Sequence, residues 1–261
     1  MRFNLLGMSA LALAAVSAPA FAQDAAAPAS DFTVTGGATL VTDYRFRGIS
    51  QSNKKFAIQG TLTVSHASGF YATVWGSSID DYIANGGDEE LDLIAGYTKA
   101  FSGITFDGGV LYYYYPGSGG INSDFFEPYA SLKTTYGPVT AKIGAAYAPK
   151  QKAIGLFDTL GTFHKEDNLY VYGELSGAVG PIALTSHLGY SHGPSYLTIG
   201  KSYWDWNVGA SYTWNHLTFG VSYVDTNKSV YSPGPTGTLA QSAYSRNISK
   251  AGVVGSVGVA F

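Results

Sequence analysis

The sequence predicts an all-β protein, a transmembrane up-and-down antiparallel β-barrel of about twelve strands. Three observations carry that reading. Apolar and polar residues alternate within each strand-like run, tight turns alternate with long polar loops, and aromatic residues gather at the ends of runs. Composition agrees: charged residues make up 13% of the chain, well below the usual quarter of a soluble domain. Aromatics reach 15%, with 20 Tyr, and Gly stands at 33. A closed barrel crosses a bilayer with only alternate residues apolar, so it needs no long apolar run.

Residues 1–22 read as a secretory signal peptide: a cationic start at Arg2, an apolar stretch, then the small-x-small pattern Ala20-Phe21-Ala22 before cleavage between Ala22 and Gln23. The competing reading is a membrane anchor, against which Ser9, Ser17 and Pro19 interrupt the run and a polar, Ala-rich stretch follows. Residues 23–31 form a flexible lead, and residues 32–261 form the barrel. An exported chain without cysteine has no disulfide staples. Its mildly acidic balance argues against nucleic acid as a partner.

From Phe32 onward the connections come in two kinds. Short ones holding Gly, Pro or Asn begin at Ala67, Phe101, Tyr136, Val179 and Trp214. Long polar ones cover Ser50 to Lys55, Asp80 to Asp88, Pro116 to Ser123, Pro149 to Asp167, Gly193 to Lys201 and Thr226 to Asn247. Strict alternation of the two puts all tight turns at one end of a meander and all variable loops at the other. In the run from Tyr203 to Trp214, Trp204, Trp206, Val208, Ala210, Tyr212 and Trp214 share one face, and Asp205, Asn207, Gly209 and Ser211 share the other. A soluble sandwich alternates in the same way, so the aromatics decide. Trp204 and Trp206 begin this run and Trp214 ends it, Tyr112 and Tyr114 close another, and Tyr136 ends the next. Rings at both ends of an apolar middle suit an interfacial girdle.

In "TDYRFRGISQS", Thr42 to Ser52, Tyr44 and Phe46 oppose Asp43, Arg45 and Arg47. Charges on a lipid face are costly, so this reading turns the aromatic pair to lipid and the charged trio inward. This motif, the run "FAIQGTLTVSHASGFYATVWGSSID" and "EELDLIAGYTKAF" resemble the TorF-type putative porins, proteobacterial outer-membrane proteins. The similarity covers the mature chain and is strongest from about Phe32 to Tyr115. It implies an outer-membrane barrel and passive transport, and it carries over no settled substrate and no catalytic residue.

By parity the pore-lining set is Asp43, Arg45, Arg47, Asp92, Asp107, Glu127, Lys133, Lys142, Glu174, His187 and Asp205, an acidic excess that favours cations. Twelve strands fall between a barrel packed with side chains and a wide water channel, so an open pore and a plugged or gated lumen both stand. Inward tyrosines such as Tyr71, Tyr129, Tyr170 and Tyr172 either hold solutes or simply pack across strands. Ile154, Leu156, Phe157, Leu160 and Phe163 make one long loop apolar, a candidate constriction that folds inward or lies across the rim. Neither a G-x-S-x-G nucleophile motif nor a histidine pair at metal spacing occurs, so no enzyme, cofactor or metal is expected. The expected function is a porin-like channel of the bacterial outer membrane for small polar solutes or ions. The alternative is a closed barrel with a structural or surface-interaction role. Expected partners are outer-membrane lipid, small polar solutes, and the barrel-assembly machinery, engaged by the last strand ending at Phe261.

Overall fold

Within the strand runs from Phe32 onward apolar and polar side chains alternate, and two-residue turns recur, so the chain folds by pairing each strand with the next. A computed structural model describes residues 30–120, 122–232 and 246–261. The expected signal peptide, most of the flexible lead, and the Pro/Gly-rich part of the last loop lie outside the described residues. The strands are β1 (Phe32–Val41), β2 (Arg45–Phe46), β3 (Ile49–Ser50), β4 (Ala57–His66), β5 (Phe70–Ser78), β6 (Glu89–Phe101) and β7 (Ile104–Tyr114). They continue as β8 (Phe125–Tyr136), β9 (Val139–Phe157), β10 (Phe163–Val179), β11 (Ile182–His192), β12 (Tyr203–Trp214), β13 (Leu217–Thr226) and β14 (Gly252–Ala260).

Twelve of them, β1 and β4 to β14, form one closed antiparallel barrel; β2 and β3 form a separate two-stranded hairpin. Closure is made by β1 against β14, with Gly37 opposite Ala260 and Val41 opposite Ser256. Beyond the last strand residue, Gly36 N–H donates to the Phe261 carbonyl at 3.0 Å and Phe261 N–H returns a bond at 2.9 Å. A Cβ on Gly36 would lie 2.6 Å from the Phe261 ring, so this terminal aromatic needs a glycine beneath it. At the turn end, Ser102 and Gly103 both take positive φ, 45° and 82°, as a two-residue type I′ hairpin requires.

The outer surface is apolar. On β12 alone Trp204, Val208, Tyr212 and Trp214 point outward and are exposed, and Leu62, Val74, Leu93, Val110, Ile143, Val171 and Val221 do the same elsewhere around the wall. No helix among the described residues is long and apolar enough to cross a membrane.

Two expectations need correcting. The segment from Pro149 to Asp167 is mostly wall: β9 and β10 continue beyond the barrel as a paired extension, with register shifts near Glu166. Only Ile154 of its apolar residues is buried. Leu156 is half-buried, Phe163 is exposed, and Phe157 and Leu160, 71% and 89% exposed, sit near the tip. Ile154 packs in the interior cluster with Tyr113, Phe125 and Phe46, while the tip of the segment stays outside the lumen. The segment that folds into the lumen is the hairpin β2–β3, and with it Tyr44 and Phe46, expected toward lipid, lie inside.

Candidate functional site: the lumen and its in-folded hairpin

Inward positions are read from burial and from cross-wall contacts. Asp92, Asp107, Glu127, Lys142 and Asp205 are buried within the barrel, Lys133, Glu174 and His187 are half-buried there, and Asp43, Arg45 and Arg47 belong to the hairpin. Sequence reading missed Glu90, Asn168 and Gln59, all inward and almost fully buried. For Glu90 the signal was available, since it shares the parity of Asp92 on β6.

The hairpin enters because its turn and both its faces find protein. Phe46 pairs with Ile49 across a two-residue turn of Arg47 (φ 47°) and Gly48 (φ 81°). A long side chain at positive φ costs roughly 1 kcal/mol, so what the Arg47 side chain does must offset that. Arg47 Nη2 donates to both carboxylate oxygens of Glu127, at 2.7 and 2.8 Å, and its Nη1 donates to Asn168 Oδ1 at 2.8 Å. Its guanidinium is sandwiched between the Phe46 ring at 4.7 Å and the Tyr170 ring at 4.1 Å. With its side chain 1% exposed, the pair holds because both Glu127 oxygens, the Asn168 oxygen and the flanking rings replace most of the lost water, although the buried Arg47 Nε has no partner among the described residues.

Around this key the hairpin packs on three sides. Tyr44 lies against Trp75, with Val41, Ala57, Ile79 and Ala84 about it, and its hydroxyl donates to Glu90. Phe46 meets Tyr113 edge-on, and Tyr113 stacks on Phe125 at 4.2 Å. Ile49 joins Tyr203, Val230 and Ile248. Asp43 accepts from Arg45 at 2.6 Å and from Ser50 at 2.5 Å, so the Asp43 and Arg45 charges neutralise each other within the segment while Arg47 relies on the wall.

Loops fasten the hairpin from outside. Arg45 donates to the carbonyls of Gly48, Ile248 and Lys250, Ser50 N–H donates to Ile248 O, and the Tyr82 hydroxyl donates to Ser50 O. Lys228 Nζ donates to the carbonyls of Thr198 and Lys201, tying the last loop to the 3₁₀ turn Tyr196–Thr198. Burial lowers the pKa of Lys228, and burial, then Arg45, lowers that of Lys54. Ser50, Ser191, Ser195, Thr198, Ser232 and Ser249 are essentially inaccessible, and all lie at this end. Among the described residues, the loops therefore pack closely around the hairpin at this end.

Below the hairpin the wall is two-sided. From β8 to β12 runs a charged row: Lys133 stands opposite Lys142, Lys142 Nζ lies 3.3 Å from Glu174, Glu174 is 3.4 Å from His187, and His187 is 3.3 Å from Asp205. The Tyr170 hydroxyl is 2.7 Å from His187 Nε2 and donates to Asp205 at 3.1 Å. Across the barrel, the inward positions of β13, β14, β1 and β4 carry Ser222, Ser256, Gly258, Thr39, Gln59, Thr61 and Thr63, with no ionisable side chain. Small neutral groups there leave room that the charged arc does not.

The inward tyrosines lie flat. Tyr71 stands opposite Gly96, Tyr129 opposite Gly109 and Tyr172 opposite Gly144, and at each glycine an added Cβ would collide with the facing ring or hydroxyl. The Tyr71 and Tyr129 hydroxyls are in hydrogen-bond contact, and Tyr71 donates to Asp107 at 2.7 Å. Packing across strands thus accounts for these rings. Of the expected girdle, Tyr112, Tyr114, Tyr136, Trp204 and Trp214 are exposed on the outside, and Trp206 is half-buried. No group of three or more metal-ligating side chains occurs among the described residues.

A family model described as "Bacterial protein of unknown function (Gcw_chp)" matches residues 25–250. No curated protein matches the sequence. Among solved structures, the NanC porin is similar over 88% of this chain and 99% of its own, with 14% identity and a TM-score of 0.56. An outer-membrane channel from Pseudomonas putida F1 aligns over 90% and 96% of the two chains at 10% identity, with a TM-score of 0.47. At these identities the likeness to the NanC porin is one of fold.

Proposed function

The chain belongs to the Gcw_chp family of bacterial proteins of unknown function, and from that premise we propose that it is a porin-like channel of the bacterial outer membrane. It passes small polar solutes or ions down their gradients. One observation carries the reading: a closed wall that is apolar outside and polar, partly charged, inside. Soluble monomers rarely expose apolar patches beyond a few hundred Å². An apolar belt all round a barrel is at home in hydrocarbon, and an interior of carboxylates, lysines and hydroxyls is at home around water. The likeness of Asp43 to Gln51 to the TorF-type putative porins supports the same reading. In this orientation the long loops face outward and the tight turns face the periplasm, after export by the N-terminal signal. The C-terminal strand ending at Phe261 is the segment offered to the barrel-assembly machinery.

The path runs along the neutral arc of β13, β14, β1 and β4, facing the charged row. Its loop end is occupied by the hairpin, so conduction requires the hairpin to move. A second reading, a closed barrel with a structural or surface role, is favoured by the three apolar clusters that hold the hairpin in place. Planar-bilayer recording separates the two, using the intact protein and a variant lacking residues 45–50. The channel reading expects a steady current from the deletion variant and a smaller or intermittent one from the intact chain. Silence from both, with the barrel shown to be folded, ends it.

A further inference from the structure

We propose that Glu127, Asn168 and Tyr170 form a guanidinium-binding socket that the chain fills with its own Arg47, so that a solute bearing a guanidinium group competes with the hairpin for the same place. Three features of the wall point there. First, the socket's chemistry suits a planar cation: a carboxylate whose two oxygens both accept from one guanidinium nitrogen, a carboxamide oxygen for a second nitrogen, and an aromatic face beneath, with the Nε of Arg47 left without a partner among the described residues.

Second, wall residues rather than the hairpin hold the socket in shape. Tyr113 donates to Glu127 Oε2 at 3.2 Å. The Asn168 amide donates to Ser191 Oγ at 3.2 Å and to the His192 carbonyl at 3.0 Å, which leaves its oxygen facing Arg47. Asp205 accepts from the Tyr170 hydroxyl, with His187 beside it, fixing that ring. Glu127, Asn168 and Tyr170 are each at most 2% exposed. Withdrawal of the hairpin takes away the Phe46 ring and leaves these groups arranged for the ion it removed.

Third, Arg47 stands where a two-residue hairpin turn favours Asn or Gly, at φ 47°. The backbone gains nothing from arginine there; the socket does.

The socket also deepens the proposed function, because it names the solute class that would unseat the plug. Binding can be read apart from transport. Arg47→Asn suits the turn and empties the socket of its guanidinium. Thermal unfolding of the detergent-solubilised variant is followed with added guanidinium chloride at about 10 mM, against sodium chloride at equal ionic strength. With the site taken to bind such an ion at about 1 mM, the variant's Tm should rise by roughly 3–6 °C. The intact protein, its socket held by a tethered arginine that the free ion must displace, should respond far less, and the double variant R47N/E127Q should lose the effect. An R47N protein that responds no more to guanidinium than to sodium overturns the socket, as does a double variant that keeps the response. In the bilayer, guanidinium should block the R47N current more than sodium does. This second readout depends on the channel reading, while the thermal shift stands even in a barrel that conducts nothing.

Discussion

Val208 offers the sharpest test of which solvent surrounds the barrel. It lies on the outer face of β12, 56% exposed, between Trp204 near the loop end and Trp214 at the turn end. About ten residues separate the two tryptophans, at roughly 3.3 Å each along a strand tilted about 40°, which gives an axial distance near 25 Å. That matches the apolar band of an outer-membrane barrel, also about 25 Å tall. Val208 sits about 10 Å inside the band from Trp204, so Val208→Arg places a charge deep in hydrocarbon at a cost of about 2–4 kcal/mol. In the folding equilibrium that is roughly 30- to 700-fold. The neighbouring Asn207 points inward, opposite His187 on β11, and Asn207→Arg should be nearly neutral. Both variants are unfolded by denaturant from lipid vesicles, with tryptophan fluorescence as the signal. If Val208→Arg and Asn207→Arg differ by less than about 0.5 kcal/mol, within the range of an ordinary surface change, the outer face does not meet lipid and the membrane argument fails.

Other perturbations address the interior and the loops. Glu127→Ala strands the Arg47 guanidinium without its partner, a loss of about 3–5 kcal/mol that should expel the hairpin; trypsin should then cut at Arg45 or Arg47 in the variant while sparing the intact protein. Gly144→Leu drives a side chain into the Tyr172 ring; overpacking should cost about 1–3 kcal/mol in denaturant titration, and an unchanged midpoint would mean the ring has another place to go. At the tip of the β9–β10 extension, the hydrogen bond with His164, followed by the backbone N–H of Thr162, holds the Asp158 carboxyl below its usual pKa. A depressed carboxylate pKa means the turn is fully supported above the ordinary carboxylate range and loses that support as pH falls through the lowered value. Protection of the Leu160 and Thr162 amides, measured against the intrinsic exchange rate at each pH, should therefore fall only in acid, and a loss of protection at neutral pH would contradict the assignment.

The strands of the wall were legible because each has lipid-like chemistry on one side and polar chemistry on the other, and period two records that contrast directly. In the run from Tyr203 to Trp214 the contrast shows in Trp204, Val208, Tyr212 and Trp214, which are exposed, against the buried Tyr203 and Asp205. The segment from Thr42 to Ser52 shows the limit of the method. Its alternation of aromatic and charged residues is real, but both of its faces meet protein, so parity there separates two packing environments and says nothing of lipid. Arg47 gave no sign of its partners, because Glu127 and Asn168 are brought to it by closure of the barrel and not by any local spacing. The β9–β10 extension was lost for a related reason: outside an apolar belt a strand need not alternate, and its pairing with a neighbour is invisible to composition. Glycine was legible as turn punctuation at Gly103 and Gly137, whereas its use at Gly96, Gly109 and Gly144 depends on which ring the adjoining strand presents.

Those ring-on-glycine pairs have a consequence for how such tubes change over generations. Strand number fixes the circumference, yet the usable bore depends on whether each tyrosine can lie down on its neighbour. Enlarging a single glycine would press on one ring and tip it toward the axis at that height only, while the partner strands stay in register. Calibre can thus be retuned level by level, two residues at a time, without rebuilding the cylinder.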